Sequence, residues 1–126
     1  MKINCCILTP ERLLYEGEVD FVAVQAYDGE RGFLYNHSPL ISELGIGEIR
    51  LRSAGRTDYL VVEGGFVEIK ANELTILAES AIEKKDLSRE EIQYQIDEFS
   101  AKSPKEKLEL EIELLKLKAR LKVAAR

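Results

Sequence analysis

The chain has 126 residues, 45% hydrophobic, 33% charged and 7% aromatic, with a net charge of −5. That is the usage of one folded domain, or of a domain with an appendage, and it excludes wholesale disorder. No apolar run approaches the ~20 residues of a bilayer-spanning helix, and residues 1–6 lack a secretory signal, so a soluble, intracellular chain is expected, while the acidic background argues against a nucleic-acid partner.

In chain order, residues 2–8 form the first β-rich run. Its adjacent cysteines, Cys5 and Cys6, would point to opposite faces of a strand, which is neither a disulfide framework nor a metal-ligand spacing. Further runs of strand length follow at 19–26, 48–52, 58–62, 66–70 and 74–78, two of them alternating polar and apolar residues. Asp28-Gly29, Ser53-Ala54-Gly55, Gly64-Gly65 and Ala71-Asn72 read as the turns between them, and Gly45-Ile46-Gly47 as another. Short strands at this spacing predict an antiparallel sandwich or barrel.

Composition then changes. All eight glycines lie between Gly17 and Gly65; residues 1–80 carry 7 Lys/Arg against 13 Asp/Glu, and residues 81–126 carry 11 against 10. This places a domain boundary near residues 80–86, dividing the chain into 1–82 and 83–126. Ser88 with Glu91 forms a capping box, flanked by Leu87 and Ile92 as a hydrophobic staple, and opens a helix to about Ser100 with Ile92, Ile96 and Phe99 on one face. Ser103-Pro104-Lys105-Glu106 opens a second helix, and the short link makes a helical hairpin.

The second helix carries two apolar stripes, Leu108, Ile112, Leu115 and Ala119 on one side, and Leu110, Leu114, Leu117 and Leu121 on the other. Two packed faces, one on the first helix and one on the sandwich, would account for both. The alternative is that one stripe is kept for another protein. After Glu113 there is no acid, and Lys116, Lys118, Arg120, Lys122 and Arg126 give +5 over thirteen residues. That exceeds the cation bias of a helix C-terminus and suits docking on an acidic protein surface or anionic lipid.

Catalytic chemistry is thinly represented. His37 is the one histidine; with Asp28 and Glu30 it lies in a turn-rich stretch that reads as solvated surface rather than an acid/base or metal site. No phosphate-cradling loop and no zinc, haem or calcium spacing is present, so no cofactor is expected. These features describe a binding or regulatory module.

The ordered segments Leu8-Thr9-Pro10, Tyr15-Glu16-Gly17-Glu18-Val19, Asp28-Gly29-Glu30-Arg31-Gly32-Phe33-Leu34, Asn36-His37-Ser38-Pro39-Leu40, Gly47-Glu48-Ile49-Arg50, Val62-Glu63-Gly64-Gly65-Phe66-Val67-Glu68-Ile69 and Thr75-Ile76-Leu77-Ala78-Glu79 resemble the epsilon subunits of F-type rotary ATP synthases. The resemblance implies an all-β sandwich of two five-stranded antiparallel sheets followed by an α-helical hairpin. It implies a non-catalytic rotor subunit of the central stalk of a proton-translocating enzyme. The partners would be the gamma subunit, the membrane c-ring and the alpha/beta catalytic subunits, with peripheral attachment on the cytoplasmic side of a bacterial inner membrane. Glu30 and His37 match positions at the c-ring end. Lys116, Lys118, Arg120, Lys122 and Arg126 match the part of the hairpin that, when extended, meets the catalytic subunits and restrains ATP hydrolysis. Some relatives bind ATP through [I/L]-D-x-x-R-A. Here Leu87-Ser88-Arg89-Glu90-Glu91-Ile92 keeps only the leucine and puts acid where a phosphate-pairing arginine should stand, so tight ATP binding is not expected. The alternative is an unrelated β-sandwich adaptor with a hairpin for partner or membrane-surface docking.

Overall fold

The computed structural model describes residues 1–126. Eight strands come first: β1 Ile3–Leu8, β2 Leu13–Val19, β3 Phe21–Ala26, β4 Gly29–Phe33, β5 Leu40–Ser53, β6 Arg56–Lys70, β7 Glu73–Ala78 and β8 Ala81–Glu83. They hydrogen-bond in the order β2-β1-β7-β6-β5-β3-β4, with β8 added on β6. The long β5 and β6 pair along nearly their whole length, but the ladder is interrupted at Gly45 and Gly64. β7 pairs with β6 from Gly65 onward, whereas β8 pairs with it before the interruption. Each long strand therefore serves two sheets. β2, β1, β7, the second half of β6 and the first half of β5 form one; β8, the first half of β6, the second half of β5, β3 and β4 form the other.

Two five-stranded layers are thus built from eight strands. The expected turns at Gly64-Gly65 and Gly45-Ile46-Gly47 are corrected: both stretches are strand, and the glycines mark the corner where a continuous strand changes sheet. The expectation of wholly antiparallel sheets is corrected at one place, since β1 runs parallel to β7. Strand β4 lies where the sequence suggested only turns, because its Gly-Glu-Arg-Gly content hides the alternation.

The layers enclose 17 buried side chains, all from strands. Phe33, Ile3, Ile7, Ile49, Leu51, Ile69, Leu74 and Ile76 are among the largest. Burying a side chain of this size stabilises by ~1.5–3 kcal/mol relative to leaving it in water. Cys5 belongs to this core, and burial, with the adjacent Cys6, pushes its thiol up to about 12. It is a small apolar residue here, not a nucleophile.

A single 3-10 turn at Lys84–Asp86 leads into the helices α1 Arg89–Ser100, α2 Pro104–Glu109 and α3 Glu111–Ala124. Both predicted N-caps form: Ser88 Oγ accepts from the Glu91 N–H and Ser103 Oγ from the Glu106 N–H, each at 3.3 Å. The single second helix is corrected to two, broken at Leu110 (φ −109°, ψ 25°). Glu106, Glu109, Glu111 and Glu113 crowd this stretch, and like charges three and four residues apart weaken a helix.

Helix α3 packs against α1 and against β5 and β6, on the outer face of the second sheet. Val123 is fully buried there. Leu110, Leu114, Leu117 and Leu121 are half-buried, while Leu108, Ile112 and Leu115 are 74%, 61% and 52% exposed. Two packed faces therefore do not account for the pattern: one stripe packs and the other faces solvent. With a sheet on one side and a helix on the other, Leu60-Val61-Val62-Glu63 is buried without alternation.

Candidate functional site

The first candidate surface is the loop between β4 and β5. Asn36 sits at φ 64° and its N–H donates to Asn72 Oδ1 at 2.6 Å, while Asn72 Nδ2 donates to Asn36 Oδ1 at 3.2 Å. Asparagine tolerates this left-handed backbone better than most residues. The loop is thereby clasped to the β6–β7 turn. His37 lies half-buried with its ring centroid 5.0 Å from that of the core residue Phe33, and its Nδ1 is 2.6 Å from the Ser38 carbonyl. A carbonyl only accepts, so Nδ1 carries the proton. His37 thus shapes the loop as well as lining it.

Glu30 and His37 are tied to different neighbours. Glu30, on β4, is salt-bridged to Arg50 of β5 at 2.7 Å, and Asp28 to Arg31 at 3.0 Å. The structure does not bring Asp28, Glu30 and His37 together as one metal or acid/base constellation.

The second candidate is the seam between hairpin and sandwich, where the five predicted cations separate. Arg120 forks onto Glu63 of β6, Nε to Oε2 at 2.6 Å and Nη2 to Oε1 at 2.9 Å. Arg126 forks onto Glu48 of β5, with both bonds at 2.8 Å. Its guanidinium also lies 5.1 Å from the Tyr59 ring centroid. The two carboxylates are 2% and 4% exposed, so each receives a planar bidentate partner in place of water. Burial pushes the Glu48 carboxyl up. Hydrogen bonding and attraction from Arg126, attraction from Lys122 and a bond from Arg50 outweigh it and hold the group below its ordinary value. Lys118 and Lys122 are exposed and Lys116 half-exposed. In this arrangement Arg120 and Arg126 fasten the hairpin to its own sandwich.

Glu48, Arg50 and Glu63 were not singled out as functional from the sequence. A lone acid beside a run such as Leu60-Val61-Val62 was the available signal, since a charge in a strand buried on both faces needs a partner.

The third surface is the outer face of the first sheet. Phe66 lies opposite Leu77, and Leu77 opposite Leu8. Phe66, Leu77 and Ile41 are all more than half exposed. The hairpin lies on the other sheet. Glu43 lies opposite Phe66 and Glu68 opposite Ile41, so this open face is mixed, with Phe66, Leu77 and Leu8 as its apolar strip.

A cleft of about 680 Å³ beside Leu87 has Arg56, Lys84 and Lys85 on its walls, with Asp58 and Glu83 among them. Lys85 is 3.5 Å from Glu83 and Arg56 3.7 Å from Asp58, so these cations already face acids.

Comparison with known proteins settles the family. Residues 2–84 match the profile described as ATP synthase, Delta/Epsilon chain, beta-sandwich domain. The ATP synthase epsilon chain of Leptospira borgpetersenii serovar Hardjo-bovis is 37% identical over 125 residues, covering 99% of this chain and 97% of the relative. The chain belongs to the ATP synthase epsilon chain family. The epsilon chain of Halalkalibacterium halodurans is 38% identical over 110 residues, 87% of this chain and 76% of the relative. The same fold occurs in a chain of the Euglena gracilis mitochondrial ATP synthase OSCP/F1/c-ring structure, with a TM-score of 0.82, 21% identity, and coverage of 98% of this chain and 81% of that one. It also occurs in the Tetrahymena thermophila mitochondrial ATP synthase central stalk/c-ring, with a TM-score of 0.68, 12% identity and coverage of 98% and 97%. Membership of the epsilon chain family removes the unrelated-adaptor alternative. No helix of this epsilon-family chain is long and apolar enough to cross a membrane.

Proposed function

We propose that this epsilon-family chain is a non-catalytic rotor subunit of the central stalk, coupling c-ring rotation to ATP synthesis and restraining ATP hydrolysis through its hairpin. It attaches peripherally, through the complex, on the cytoplasmic side of a bacterial inner membrane. The sandwich (1–82) and the hairpin (83–126) act as separate units.

One observation carries this reading. The sandwich core contains no hairpin residue, and the hairpin lies on the outside of a finished sheet, held by the packing of Val123 and the leucine stripe and by two arginine forks. Such an element can leave without unfolding its base. Release would free Arg120 and Arg126 to join Lys116, Lys118 and Lys122 against acidic catalytic subunits, with the exposed Leu108, Ile112 and Leu115 stripe supplying apolar contact. The open face suits the gamma subunit, because the adjacent Phe66, Leu77 and Leu8 form an apolar strip flanked by Glu43 and Glu68, and exposed apolar surface rimmed by polar groups marks an interaction site. The clasped loop with His37, together with Glu30, suits the polar surface of the c-ring.

The test is ATP hydrolysis by the cognate catalytic head lacking this subunit, with the whole chain or residues 1–87 added back. Inhibition by the whole chain alone, with gamma bound by both, is the expected result. Equal activity with both, gamma still bound, would leave coupling without restraint.

A further inference from the structure

Four charged groups on the back of the second sheet form an unbroken alternating row, Glu30, Arg50, Glu48 and Arg126. Glu30 stands on β4 opposite Gln25, and Arg50 on β5 opposite Ala23, so their side chains meet across β3. Arg50 Nη2 is 2.7 Å from Glu30 Oε1, and its Nη1 lies 3.5 Å from Glu30 Oε2. The same Nη1 is 3.4 Å from Glu48 Oε1. That oxygen also accepts from Arg126 Nη2 at 2.8 Å. One carboxylate oxygen is therefore shared between the arginine of the sheet and the arginine beyond α3.

The links are unequal. Those at the ends of the row are short and the middle one is long, so Arg50 is committed to Glu30 and only slackly tied to Glu48. Lys122 adds its field at Glu48 but makes no bond there.

We propose that Arg50 is a positioning residue that couples Glu30 to the anchor of the hairpin. While Glu30 holds Arg50, Glu48 is left to Arg126 and the hairpin stays docked. When a cationic group of a partner takes Glu30, Arg50 loses its 2.7 Å partner and the nearest remaining carboxylate is Glu48. Arg50 then competes with Arg126 for Glu48, and the end of the hairpin loosens. Two sites, two arrangements and a shared ion are what such coupling requires. Its consequence in the complex rests on the reading of Glu30 as the c-ring contact, but the coupling itself belongs to the isolated chain.

Amide hydrogen exchange of α3 in the intact isolated chain tests it, with β1 and β7 as internal standards. Glu30→Gln is expected to speed α3 exchange roughly three-fold or more, the range of coupling in one ionic network, and to do so no longer in an Arg50→Gln background. Unchanged α3 exchange in Glu30→Gln would overturn the proposal, as would an acceleration that persists without Arg50. The double variant Glu30→Gln/Arg126→Gln gives a second readout. Exchange equal to that of Arg126→Gln alone supports a route through the anchor; multiplication of the two single effects refutes it. Binding of the Glu30→Gln chain to the c-ring is measured separately, so that reading can fail without altering this result.

Discussion

Gly65 shows how one residue sets the architecture. It lies at φ +130°, and a Cβ there would fall 2.1 Å from the Leu77 carbonyl oxygen and 2.8 Å from Ala78 Cα. Both are backbone atoms of the neighbouring strand and cannot swing aside. Gly65→Ala is therefore expected to destabilise the sandwich by at least ~2 kcal/mol, through strain and displaced pairing; urea unfolding of the two chains measures it. A loss below 0.5 kcal/mol, typical of ordinary surface changes, would show that β6 can turn its corner another way. The Gly64-Gly65 pair was visible in the sequence, but its purpose was not. A glycine pair marks unusual backbone geometry, and only the pairing of β6 with β7 on one side and β8 on the other distinguishes a corner from a turn.

The hairpin is the element whose state depends on charge. Glu48 has a folded-state pKa held below its ordinary value of 4.5. A depressed carboxyl adds stability that is complete above the unfolded value and is lost as pH falls through the folded one. Docking of α3 is thus expected to be independent of pH above about 5.5, a unit above that ordinary value, and to weaken below it. Exchange protection of α3 measured against pH checks this, with Glu48→Gln expected to flatten the acid limb. An acid limb unchanged by that substitution would assign the loss to another group. The caps at Ser88 and Ser103 were legible because capping is local, decided by residues three apart. The break at Leu110 and the identity of the packed stripe were not, since periodicity finds apolar faces without saying what covers them.

The whole molecule divides its surfaces by layer. One sheet carries the hairpin on its back over β5 and β6, the other leaves its outer face open with Phe66 and Leu77 exposed, and the clasped Asn36–Asn72 loops cap one end. The cleft beside Leu87 places acids among its cations, and the hairpin start carries the exposed Glu90 and Glu91, which would repel a phosphate. Calorimetric titration of the intact isolated chain with ATP is accordingly expected to show no saturable binding at micromolar concentrations; a micromolar isotherm would overturn this. By itself the sequence determined what local rules decide: a strand-rich first part, a helical second part, the caps, and the ordered segments that carry the family resemblance. Tertiary structure alone decided which glycines turn corners, which leucine stripe is covered, and that Arg120 and Arg126 are spent on Glu63 and Glu48. Those partners lie 57 and 78 residues apart in the chain. A carboxylate is buried only where a folded sheet and a docked helix meet, and no local pattern records that meeting.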